Sequence, residues 1–285
     1  MKALIKRNMM LFFYDKTAVF FSFMAVFVVL GLYCSFLGDM MIEPLKVAFP
    51  KYARELSDTW IMAGTLGIVS LTTSLSVLGI IIADRSNHIV NDFEISPLSK
   101  GKIMLSYIIS SVVLTCFVSV VTLLIGQIYI VAYGGRWMSM STLIKVLGVM
   151  LLSIMSNTSM LYFFMSFFRS ATSFSNITTI IGTLSGFLMG IYVPMGALPN
   201  YLQRVITYFP PSHCAALYRN IMMHDVMNDS FINVPIEAIT TFKKNFGLLF
   251  TYGSHTTSTL EHVGLIALTG IFFYILLKLQ KKNRT

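Results

Sequence analysis

The chain has 285 residues, 55% of them hydrophobic and only 12% charged, with a mean hydropathy of +0.74. That composition excludes an ordinary soluble domain and reads as a membrane protein. The formal net charge of +9 then reflects topology and anionic lipid rather than nucleic acid, and three cysteines with no CxxC pair imply no disulfide framework.

The opening MKALIKRNMMLFFYDK puts Ile5, Met9, Phe12 and Phe13 on one helical face and Lys2 and Lys6 on another, which predicts a helix over residues 1–16 lying in the membrane interface. Six segments follow that can cross a hydrocarbon core of about 30 Å, which takes about 20 helical residues. They are Thr17 to Leu37, Trp60 to Ala83, Ile103 to Val131, Leu143 to Phe168, Ala171 to Val193 and Thr259 to Leu279. The first outruns the apolar stretch of about 7 to 15 residues in a signal peptide, and Tyr33 is too bulky for lipoprotein processing at Cys34. It is expected to be a retained span.

Gly38 to Thr59 reads as an outer loop of mixed charge. Between the second and third spans DFEISPLSKGK forms a polar island within residues 84–102. Its Ser96 and Pro97 fit the N-cap and first position of the third-span helix. His88 to Ile95 is then left as a separate element, with Ile89, Val90 and Phe93 able to form an apolar face. The Gly-Gly of YGGRWMS breaks the chain into a short outer turn, and Arg169 marks a tight inner one. In the fifth span Gly182, Gly186 and Gly190 recur every four residues, a row that lets another helix approach closely.

After that span comes VPMGALPNYLQRVITYFPPSHCAALYRNIMM. Leu198, Tyr201, Leu202, Val205 and Phe209 recur at helical spacing until Pro210 and Pro211 stop the helix, and Ser212 can cap a second short helix running to about His224. Two short helices between prolines predict a re-entrant hairpin at the outer membrane edge, with Tyr201, Leu202 and Phe209 buried and Arg204 nearer water. The outer region spans residues 194–258. With cytoplasmic termini, the inside holds twelve basic and four acidic side chains and the outside nine and eight. That excess agrees with the positive-inside tendency.

Reactive chemistry is missing from the sequence. No ionisable residue falls deep in a span as bounded above, and His88, His213, His224, His255 and His262 show no metal-ligand spacing. No GxxxxGK[ST] is present for binding ATP. Neither a catalytic residue nor a metal site is expected, and any ATP-driven work must come from a partner.

Two stretches carry a family resemblance. ADRSNHIVNDFEISPLSKGKIMLSYIISS, Ala83 to Ser111, is similar to the cytoplasmic connection between the second and third spans of ABC-2 type transporter permeases, except that His88 and Ile89 replace the common glycine-threonine. The stretch from Val193 resembles that family's signature after the fifth span: an LP-led amphipathic helix beginning at Leu198 and Pro199, a proline break, then a helix bearing an arginine, here Arg219. The resemblance covers nearly the whole chain, although the outer segment Asp225 to Ser258 is longer than in compact members.

It implies an all-α membrane protein of one transmembrane domain over residues 1–285, with six transmembrane helices, an N-terminal interfacial helix, a cytoplasmic coupling helix and an outer re-entrant hairpin. It also implies two permease chains, as a homo- or heterodimer meeting through the first and fifth spans. Two copies of an ABC ATPase subunit would hold the ATP and Mg, in a bacterial plasma membrane. The coupling residues would be Ile89, Val90, Asp92, Phe93, Glu94, Ser96 and Pro97, with Phe93 as the apolar anchor, Asp92 and Glu94 orienting it, and Lys100 and Lys102 at the anionic leaflet. The expected function is ATP-driven export of a hydrophobic or amphipathic drug, peptide or lipid-like substrate. The alternatives are a lipid-linked glycan exporter and a non-transporting membrane enzyme or immunity protein.

Overall fold

The computed structural model describes residues 1–168 and 170–282, without the side chains of Glu94, Lys281 and Lys282; Arg169, expected at an inner turn, lies outside the described residues. The chain begins with α1 (Lys2–Tyr14). Asp15 ends it and at once caps α2 (Lys16–Leu32), its side chain accepting from the Ala18 N–H at 2.9 Å. The side of α1 turned to the bundle is Leu4, Asn8 and Phe12, and Phe13 is exposed. The expected apolar face is thus rotated: its stripe is shared between the bundle and the exposed surface.

The segment after α2 overturns one expectation. Gly38 to Thr59 is not a loop: a π-helical turn (Tyr33–Leu37) leads into α3 (Gly38–Ala48), and α4 (Ala53–Ser86) starts before Trp60. Met41, Ile42 and Leu45 recur at helical spacing and are buried, and α3 packs on α4. That burial outweighs the charges and Pro44 that suggest a loop in isolation.

α4 is the axis of the fold. It is enclosed by α2, by α6 (Lys100–Ala132), by α7 (Met140–Met165), by α8 (Ala171–Leu188) and by α10 (Pro210–Met222). α13 (Thr259–Lys282) packs on α7 and α10. Among the described residues five helical stretches are long and apolar enough to span a membrane: Lys16–Ala48, Ala53–Ser86, Lys100–Ala132, Met140–Met165 and Thr259–Gln280. The fifth expected span corresponds to α8, which ends at Leu188 and is rich in serine and threonine, so it falls outside that group.

Short elements fill the two ends. At one end, between α4 and α6, lies α5 (Ile89–Glu94). At the other lie α9 (Asn200–Tyr208), α11 (His224–Ser230), α12 (Ile236–Asn245) and a hairpin pairing β1 (Thr251–Tyr252) with β2 (His255–Thr256) in the register Thr251 to Thr256 and Tyr252 to His255. Phe49, Phe231, Phe242 and Phe246 pack in succession at centroid distances of 4.3–4.9 Å, fastening α12 over the mouth of α4.

Candidate functional site

α5 stands apart because His88 before it adopts φ 61, a left-handed turn that a side chain resists. This is the position where the resembling family has glycine. Ser96 closes the other end: its hydroxyl donates to the Phe93 carbonyl at 2.6 Å. The expectation that Ser96 and Pro97 cap the third-span helix is therefore corrected. That helix, α6, begins at Lys100 after Ser99; the Ser96 hydroxyl donates back to α5 and accepts from the Leu98 N–H at 3.4 Å, which closes a turn ahead of α6 rather than its first helical turn.

Ile89 and Val90 are half-buried, and Asp92 and Pro97 are exposed. The Glu94 side chain lies outside the described ones. Phe93, expected to point outward, is half-buried against the core, with the Arg7 guanidinium 5.3 Å from its ring centroid. The apolar side chain presented outward is Ile95, 87% exposed.

Beneath α5 sits a charge cluster that sequence reasoning missed. Arg7 of α1 grips Asp84 of α4 through two hydrogen bonds at 2.6 and 2.8 Å, and the Tyr107 hydroxyl of α6 donates to the same carboxylate. Asp84 is 3% exposed. The hydrogen bonds to Asp84 raise the Arg7 pKa above its ordinary value, so the guanidinium stays charged. One carboxylate thus ties α1, α4 and α6, and the same arginine lies over Phe93 of α5. The pairing of Arg7 with Asp84 joins residues 77 apart in the chain, which local spacing does not reveal.

The other end of α4 repeats the arrangement. Buried Asp58 accepts from the Tyr33 hydroxyl at 2.7 Å and lies 3.5 Å from the Arg54 guanidinium. Asp58 and Asp84 are about 39 Å apart at 1.5 Å per helical residue, so they bracket a hydrocarbon core rather than lie within it. The expectation of no ionisable residue deep in the second span fits that placement.

The glycine row is corrected. α8 ends at Leu188, and Gly190 sits in the turn beyond it with φ 61. A Cβ at Gly186 would run into the ring of Tyr192 from the same chain, whereas Gly182 faces open space. The spacing of four holds in sequence but not in structure, because the helix stops within it. α8 exposes Thr172, Asn176, Thr179 and Thr183 along one stripe.

The double helix after Gly190 is present, with corrections. Pro199 precedes α9, Leu198 and Leu202 are half-buried, and Arg204 is exposed as expected. Tyr201, expected to be buried, is 67% exposed; Ile206 and Thr207 face inward instead. Phe209 is half-buried and Pro210 opens α10. Ser212 does not cap α10 but shares its hydroxyl proton with the Ile206 and Phe209 carbonyls, 2.5 and 2.6 Å away. From Pro211 to Arg219 every residue is buried among α4, α7 and α13.

Arg219 is 2% exposed. It lies 4.4 Å from the Trp60 ring centroid and donates to the Gly190 carbonyl at 2.7 Å, with no carboxylate partner among the described residues. Gly64 faces its Nη2, leaving the room that the guanidinium occupies. His213 and His262 also meet, Nδ1 to Nδ1 at 2.7 Å, although their separation in the sequence shows no ligand spacing. Among the described residues no group of three or more His, Cys, Asp or Glu side chains forms a metal site.

A sequence model of the ABC-2 family transporter proteins matches residues 14–278 of the chain. No curated protein matches it at a significant level.

Proposed function

Because this chain belongs to the ABC-2 family of transporter proteins, and is thus a multi-pass membrane subunit that is not itself catalytic and works with an ABC ATPase, we propose that it is one permease half of an ATP-driven exporter of hydrophobic or amphipathic molecules. The observation that carries this reading is the construction of α5. A short helix followed by an exposed Ile95 stands on a cluster of half-buried Arg7 with buried Asp84 and Tyr107, joining α1, α4 and α6. A load on α5 is transmitted through Phe93 and Arg7 to the interfacial helix and two spans together. Asp92 is exposed to meet basic residues of the ATPase, with Ile95 as the docking knob and Phe93 as the brace behind it.

α8 supports the rest of the proposal. On the exposed stripe of Thr172, Asn176, Thr179 and Thr183 the last two hydroxyls return to carbonyls four residues back, but the Asn176 side-chain amide carries polar groups that such bonds do not satisfy and that are costly against lipid. α8 therefore serves as the fifth of six spans, facing a second permease chain or a hydrated path, with the exposed Phe20, Phe21 and Phe27 of α2 completing the dimer face. Six spans place both termini on the cytoplasmic side of a bacterial plasma membrane and make α9 with α10 an outer re-entrant hairpin. Two ATPase subunits supply the ATP and Mg.

Two experiments test this. Ile95→Asp and Phe93→Ala are compared with Ser86→Ala for co-purified ATPase and for export. Loss of a buried interface anchor costs about 2 kcal/mol or more, against about 0.5 for an exposed residue, so Ile95→Asp should reduce bound ATPase about thirty-fold. If all three behave like the unmodified protein, α5 is not the coupling element. Cysteines at Ser86 and Asn228 in a cysteine-free background should label from opposite sides; labelling from one side removes α8 as a span.

A further inference from the structure

The half of the bundle that holds α5 carries a cleft unrelated to the ATPase contact. It has a volume of about 520 Å³, with walls from α6 and α13 and a floor from α7, which packs against both. Leu105, Ile109 and Val113 line one wall and Ala267, Ile271 and Tyr274 the other; Ser156 and Ser159 of the floor are buried. Along α6 the lining runs from Leu105 to Val113, about 12 Å at the helical rise. All three helices are among the apolar stretches long enough to span, so the cleft opens to lipid rather than to water.

Charge marks one mouth of this cleft and not its interior. Lys102 is exposed one helical turn before Leu105, on the same face of α6. Lys278 is exposed one turn beyond Tyr274 on α13, its ammonium 4.8 Å from the Tyr274 ring centroid. The apolar trough thus ends at the membrane surface between two lysines, with a tyrosine between trough and headgroup level. A membrane helix from another chain would match the trough but not the paired cations at its end, and an uncharged cargo would leave them unused.

We propose that this cleft is a binding site for an anionic glycerophospholipid of the leaflet nearest α5, one acyl chain lying along Ile109, Ala267 and Ile271 and the phosphate held between Lys102 and Lys278. Basic pockets between transmembrane helices select anionic headgroups in this way. The site rests on the spans alone and not on the cargo or the direction of transport.

The test uses the full-length protein in detergent, with phosphatidylglycerol and phosphatidylcholine of identical acyl chains as probes and retained lipid counted by native mass spectrometry. Each lysine should favour the anionic lipid about five-fold, so the unmodified protein should retain it about thirty-fold better than the zwitterionic one. Lys102→Gln with Lys278→Gln should bring that ratio near one while keeping chain occupancy. Ala267→Phe, which fills the trough, should lower retention of both lipids. Equal retention of the two lipids by the unmodified protein overturns the proposal, as does undiminished retention by Ala267→Phe. Efficient disulfide cross-linking between two chains through Ile109→Cys would assign the cleft to a second copy and overturn it too. Thermal unfolding of each variant without added lipid shows that the fold has survived.

Discussion

Asp84→Asn keeps the shape of the side chain and removes the charge on which three helices converge. In the native protein Arg7 donates to Asp84 at 2.6 and 2.8 Å and Tyr107 adds a third hydrogen bond. The Asp84 side chain is 5% exposed and that of Arg7 29%. Removing one partner of a fully buried ion pair costs about 3–5 kcal/mol, whereas a surface pair is worth about 0–1 kcal/mol. Arg7 retains partial access to water and can be rehydrated, so the loss belongs between these limits, at about 2–3 kcal/mol. At about 2–4 °C per kcal/mol for chains of this order, the unfolding midpoint of the purified protein in detergent should fall by about 4–12 °C. Arg7→Gln should cost a similar amount, and the double variant little more than either alone. A coupling energy of about 1.5 kcal/mol or more in that cycle is the expected signature. Strict additivity within about 0.5 kcal/mol would show that the two residues do not act as a pair, and the route from α5 into the bundle would lose its basis.

His88→Gly should stabilise the chain by about 0.5–1 kcal/mol in the same assay: relief of a left-handed side chain is worth about 1–2 kcal/mol, offset in part by the added freedom of glycine when unfolded. An unchanged or lower midpoint would mean the His88 side chain contributes something its φ does not reveal. Arg219→Lys should destabilise by on the order of 2 kcal/mol, since an ammonium cannot keep both the planar stacking over Trp60 and the bond to the Gly190 carbonyl; additivity of Arg219→Lys with Trp60→Leu would argue against the stacking. His213 should confer acid sensitivity, because burial pushes its pKa from 6.5 down to about 4. It is neutral when folded, and the unfolded chain gains a proton first, so stability should decline from about pH 6.5 towards pH 4 by on the order of 3 kcal/mol. The groups facing it are His262, the Tyr252 hydroxyl and the Thr207 carbonyl, with the Glu261–His255 pair beside His262. His213→Gln should flatten that decline, and a decline of the same size in the variant would place the acid sensitivity elsewhere.

The paired clusters at the two ends of α4 give the fold its internal logic. Apolar packing among spanning helices fixes their faces but resists axial sliding only weakly, because lipid solvates a displaced leucine as well as protein does. A buried carboxylate held from another helix has no such alternative: sliding α4 by a turn takes Asp84 from Arg7 and Tyr107 and leaves it unpaired, and takes Asp58 from the Tyr33 hydroxyl, although Arg54, on α4 itself, moves with it. Asp58 and Asp84 therefore set the height of α4 against α2 and α6, and with it the position of α5.

The sequence by itself determined the membrane class, most of the spans, the separate short element between the second and third spans and the proline-broken helices near Arg219. Each of these depends on properties that act locally: an apolar run as long as a bilayer is thick, a proline without an N–H, an amphipathic stripe. Tertiary structure alone decided the rest. Asp58 and Asp84 read as loop charges until α2, α6 and α1 bring Tyr33, Tyr107 and Arg7 to them. Gly38 to Ala48 becomes a helix because α4 offers its apolar face a partner. The row of Gly182, Gly186 and Gly190 fails because α8 stops before its third member, and Phe93 turns inward because Arg7 lies over it. Contacts between residues tens of positions apart carry no periodic trace in the chain. Their energy exists only once the helices have packed, which is why the spans were legible and the side chains joining them were not.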